Sequence, residues 1–124
     1  MGEARALARL GMSDGAYYLA GYSVECALKA CIAKLTQRHE FPNRKRALDS
    51  YSHNFAELLT AAGLENALRN EIQRDPRFLA HWNVVKLWSP ERRYATTDSA
   101  ATRDLLEALG DRNHGVLRWI KLHW

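Results

Sequence analysis

Between Asp14 and Lys34 apolar side chains occupy nearly every direction around a helical wheel. Tyr17, Gly21, Val24, Leu28, Cys31 and Leu35 recur at steps of four and three, while Leu19, Cys26, Ala30 and Ala33 cover a second flank. A helix that is apolar all round belongs at the centre of a bundle, wanted by neighbours on most sides. Ser13 or Asp14 is placed to cap it, and it is expected to run to about residue 36. Glu25 and Lys29 interrupt the pattern one turn apart, acid before base. Exposed, such a pair is worth a few tenths of a kcal/mol; inside a bundle each charge must find partners. The pair therefore marks either a helix edge or a polar cleft.

The remaining pattern is also helical, with no strand-like alternation and no internal repeat. Glu3 to Leu10 reads as a short opening helix closed by Gly11. After the central helix a loop of some fifteen residues is expected. Ser52 or Asn54 then opens a third helix, with Asn54 and Glu57 spaced as a capping box and Phe55, Leu58, Leu59 and Ala62 as the buried stripe, ended by Gly63. Leu64, Leu68 and Ile72 suggest a fourth helix, broken at Asp75-Pro76, where a new one begins. Phe78, Leu79, Trp82, Val85 and Trp88 carry that one to Ser89-Pro90. Glu91 to Asp98 is a polar connection. A last helix opens at Asp98 or Ser99 and carries Leu106, Leu109, Asn113, Val116, Leu117, Ile120 and Trp124 on one broad face. Gly110 and Gly115 weaken it by roughly 1 kcal/mol each and imply a close contact or a bend. The fold class predicted is all-α.

A chain of 124 residues is a single domain, 1–124, able to bury roughly two thirds of its unfolded surface without disulfide or metal. Apolar content of 47% and charged content of 26% suit a globular protein, and no apolar run reaches the roughly 18 to 20 residues of a membrane span. The first residues lack the apolar stretch of a secretory signal, which points to the cytoplasm. Cys26 and Cys31 diverge by about 140° on one helix and read as small buried apolar residues. The five histidines show no metal-binding spacing, so neither metal nor cofactor is expected. Nucleotide-binding loops, nucleophile elbows and zinc motifs are absent.

The net charge of +4 is unevenly spread. Arg38, His39, Arg44, Lys45 and Arg46 crowd the loop after the central helix, either as a solvated segment or as a phosphate-facing patch. Arg69, Arg74, Arg77, Arg92 and Arg93 could extend that patch. Such a surface predicts weak, salt-dependent binding of polyanions. Glu25, Lys29, His53, Arg93 and Tyr94 each interrupt or border an apolar face. They are the candidate ligand-binding residues. Arg93 or Tyr94 is expected within hydrogen-bond reach of the Glu25–Lys29 pair. Val116, Trp119, Ile120 and Trp124 offer apolar area for a twofold interface, so a homodimer is expected.

Three segments together resemble the HEPN domain family. Residues 18 to 30, Tyr-Leu-Ala-Gly-Tyr-Ser-Val-Glu-Cys-Ala-Leu-Lys-Ala, resemble its signature helix. Ser52-His53-Asn54-Phe55 through Leu58-Leu59 resembles the family's His-x-Leu helix opening, and Arg92-Arg93-Tyr94 its Arg-Tyr element. The resemblance spans nearly the whole chain. It implies an up-and-down helical bundle of about five helices. It also implies a nucleotide- or nucleic-acid-binding module, the partner of a minimal nucleotidyltransferase in a defence or toxin–antitoxin setting.

Two alternatives stay open: a metal-independent endoribonuclease, and a structural dimerisation domain without ligand. Ribonucleases of the family use Arg-x(4–6)-His. Here Arg112-Asn113 resembles the start of that motif, but no histidine follows at 117 to 119. Arg118 and His123 fit the spacing, yet diverge by about 140° in a straight helix. They are the only catalytic candidates, and His123 sits where a helix end frays.

Overall fold

The structure is a computed structural model. It describes residues 1–38, 52–89 and 99–124, with residues 37 and 38 in backbone only. Among the described residues it holds seven helices and no strand: α1 (Gly2–Arg9), α2 (Ser13–Arg38), α3 (Phe55–Ala61), α4 (Glu65–Arg74), α5 (Pro76–Val85), α6 (Ser99–Gly110) and α7 (Val116–Lys121). The all-α bundle read from the sequence is what forms. No helix among the described residues is long and apolar enough to cross a membrane.

The helix ends follow local chemistry. α1 stops in a left-handed turn at Gly11, φ 77°, where Gly11 N–H donates to Ala8 O and Met12 N–H to Leu7 O. Gly63, φ 71°, closes α3 in the same way. Asn54 caps α3 by accepting from Glu57 N–H, as its spacing predicts. Asp75 accepts from the N–H groups of Arg77 and Phe78, with Pro76 in the first turn of α5.

α2 is the central element and packs against α1, α3, α6 and α7. Its first stripe behaves as expected: Tyr17, Gly21, Val24, Leu28 and Cys31 are buried. The second flank does not. Cys26, Ala30 and Ala33 are exposed, so α2 is covered on most sides but not all round. Small side chains fill a helical wheel with apolar character without needing a neighbour on every side. Of the two cysteines, only Cys31 has the buried place expected for both; its thiol donates to Ile120 O at 3.7 Å, and burial pushes its pKa up.

The last predicted helix is two. α6 ends at Gly110, and Asp111 makes a turn by accepting from the N–H groups of Asn113 and His114. A Cβ at Gly115 would lie 2.4 Å from Asp111 O, so only glycine permits the tight return into α7. That turn folds α7 back over the bundle and changes the fate of its apolar face. Val116, Trp119 and Ile120 are at most 4% exposed within their own chain, leaving Trp124 as the exposed part of the face expected to form a twofold interface.

Candidate functional site

α2 places Glu25 and Lys29 one turn apart, and Glu25 is 2% exposed. Its Oε1 accepts from Lys29 Nζ at 2.8 Å and from His53 Nδ1 at 2.9 Å. A carboxylate only accepts, so His53 Nδ1 is the donor in this bond. The His53 side chain is 60% exposed. Glu25 Oε2 is buried without a hydrogen-bond partner among the described residues. An unmet buried acceptor costs on the order of 1–3 kcal/mol, more when charged.

Packing brings His53 to this place. Phe55, the first residue of α3, stacks on Trp88 with centroids 5.2 Å apart and planes at 6°. The Trp88 indole N–H donates to Tyr17 O at 3.1 Å. Gly21 makes that approach possible, since a Cβ there would lie 2.0 Å from the Trp88 ring. A chain of contacts from α2 through Trp88 and Phe55 thus fixes the start of α3, two residues after His53. Ser52 completes the turn by accepting from Asn54 N–H and donating to Glu57.

His53 lies on the rim of a hollow of about 640 Å³ whose walls include Phe55, Leu59, Trp82 and Trp88, with Arg69, Lys86 and Glu65 also at its edge. The arrangement offers an imidazole oriented by Glu25, an aromatic wall and two cations. That set can hydrogen-bond a polar group, pack a flat ring and hold an anion.

A second histidine–carboxylate set lies where α5 meets the turn before α7, and the sequence reading passed over it. Asp75, besides its cap, accepts from His114 Nδ1 at 2.6 Å. Asp111 accepts from His81 Nε2 at 2.9 Å, besides its two backbone donors. The hydrogen bond from His114 is the main reason the Asp75 carboxyl is held below the usual range, and that from His81 holds Asp111 far below it. The signals were present: Asp before Pro, and Asp two residues before Asn in a turn. What the sequence lacked was their proximity. Among the described residues no group of three or more His, Cys, Asp or Glu side chains gathers as a metal site.

Of the predicted ligand-binding residues, Glu25, Lys29 and His53 converge. Arg93 and Tyr94 lie outside the described residues, as do Arg44, Lys45, Arg46 and Arg92 of the basic patch; Arg38 ends α2. Arg118 and His123 do not share a site. Arg118 is exposed in a cleft with Arg5 and Arg112, while the His123 ring packs edge-on against buried Trp119, 5.1 Å between centroids.

Family models, characterised proteins and solved structures were compared with the chain, and none matches. What the cluster can do therefore rests on its own chemistry. A buried carboxylate that orients a solvent-facing imidazole beside a partly aromatic hollow can serve recognition, because the carboxylate and the imidazole are already positioned by the fold.

Proposed function

We propose that this chain is a HEPN-type module that binds nucleotides or nucleic acid. The observation that carries the reading is the Glu25–His53 pair at the rim of the aromatic-walled hollow. Its volume lies in the range of small-molecule sites. In this reading the base packs against the apolar wall, His53 hydrogen-bonds a base or ribose group, and Arg69 and Lys86 receive phosphate. The family resemblance gains support from the meeting of two of its motifs, since Glu25 and His53 are 28 residues apart in the chain and hydrogen-bonded in the fold. The nucleotidyltransferase partner and the defence or toxin–antitoxin setting belong to the same proposal and follow from the resemblance; a homodimer, expected from the apolar last helix, belongs to it too. The divergence of Arg118 and His123 argues against the ribonuclease alternative.

Titration of tryptophan fluorescence with nucleoside mono- and triphosphates tests the hollow. Saturable quenching is expected, weakened about tenfold or more by each of Arg69→Ala and Lys86→Ala, each a charge-assisted contact worth about 1.5 kcal/mol or more. No binding at millimolar nucleotide would overturn the hollow as the binding site. Labelled RNA incubated without metal should stay intact. Cleavage abolished by His123→Ala would restore the ribonuclease alternative.

A further inference from the structure

The face built by α1, α6 and α7 carries a strip of positive charge that the sequence disperses over more than a hundred positions. Two adjoining shallow clefts, of about 700 and 460 Å³, share Arg5 and Arg112. Arg9 and Arg103 line the first, Arg118 and Lys121 the second. All six cations are exposed. None has a carboxylate within ion-pair distance among the described residues. Arg5 sits at the junction over the bare backbone of Gly110, where a Cβ would come within 2.6 Å of its guanidinium. Two acids enter the first cleft. Asp111, which also lines the second cleft, has both oxygens engaged, by His81 and by backbone N–H groups, which leaves Glu107. Beyond Lys121, whose ammonium lies 5.4 Å from the Trp124 ring centroid, that indole is 49% exposed.

We propose that this strip is a docking surface for the sugar-phosphate backbone of a single-stranded nucleic acid, with Trp124 as a stacking face for a base. Five of the six cations are arginines, whose planar forks match phosphate oxygens. An electrostatic groove joined to an exposed aromatic ring is the combination that holds single strands without reading sequence. A single-stranded polynucleotide is the polyanion that offers regularly spaced phosphates to the arginines and an unstacked base to the indole together. The surface shares no residue with the His53 hollow. It deepens the nucleic-acid side of the proposed function and rests on that reading only for the choice of polynucleotide among polyanions.

The test measures binding of labelled single-stranded RNA, and of DNA of the same sequence, against salt. Six phosphate contacts predict a slope of about −4 in log–log form, an affinity loss of about 300-fold between 50 and 200 mM salt. Arg5→Ala with Arg112→Ala should lower the slope by about 1.4 and the loss to about 50-fold. Arg103→Ala with Arg118→Ala is the second pair, should the first impair folding. Trp124→Ala should weaken binding about tenfold at every salt concentration without changing the slope. Absence of binding at low salt, an unchanged slope in both double variants, or capture by anionic vesicles in preference to RNA would overturn the proposal. RNA bound by the strip with no nucleotide bound in the hollow would overturn the hollow alone. The reverse result would overturn the strip alone.

Discussion

Two histidine–carboxylate sets occupy this bundle, and they differ in what their oxygens have left to do. At the meeting of α5 with the turn before α7, all four carboxylate oxygens of Asp75 and Asp111 accept hydrogen bonds: in each residue one oxygen accepts from an imidazole and the other from two backbone N–H groups of its own cap or turn. At the Glu25 set, among the described residues, one oxygen accepts twice and the other not at all, while its histidine is largely exposed. A saturated network fastens elements together. An unsaturated one is held ready at the expense of stability, and that asymmetry separates the structural pair from the candidate site.

The largest effect is expected where the candidate site is anchored. Gly21→Ala drives a methyl into the Trp88 ring and should destabilise the chain by about 3 kcal/mol in urea unfolding, since the indole cannot move without releasing Phe55 and the start of α3. Next comes the saturated network. Asp75→Ala loses a helix cap and the His114 bond together and should lower the thermal midpoint by on the order of 5–10 °C. An Asp75 variant as stable as the parent would break the comparison.

The same network sets the acid limb of stability. Asp75 and Asp111 have folded pKa values below their ordinary ones, so the unfolded chain binds protons first as pH falls. Their contribution is complete above about pH 4, the unfolded aspartate value, and is lost as pH drops through the folded values. Asp111→Asn should flatten that limb by lowering stability at pH 7, with variant and parent converging as pH falls through the folded values in urea unfolding followed against pH. Glu25→Leu probes the other member: removal of a buried, half-met charge should leave stability within about 1 kcal/mol, or raise it, while abolishing nucleotide binding. A loss as large as that of Asp75→Ala would mean that Glu25 is structural too. The smallest effect concerns the uncovered flank of α2. One thiol per chain, Cys26, should react with a disulfide reagent in the native state, and two after unfolding.

Much of this was written along the chain. Periodicity and caps set every helix boundary that local chemistry controls: Gly11, Asn54, Gly63 and Asp75-Pro76 act through their own backbone geometry and nearest donors. The importance of Glu25, Lys29 and His53 was legible for a related reason, because charge inside an apolar run demands a partner wherever the run folds. Tertiary structure decided what depends on distance between segments. It split the last helix, because Asp111 and Gly115 make a return only when α7 has a core to cover. It buried Val116, Trp119 and Ile120 in their own chain, left Cys26 outside, parted Arg118 from His123, and joined Arg5, Arg103, Arg112 and Arg118 on one face. Sequence spacing fixes direction around one helix axis. Which surfaces meet is settled by the summed packing of several helices, and no local pattern carries that sum.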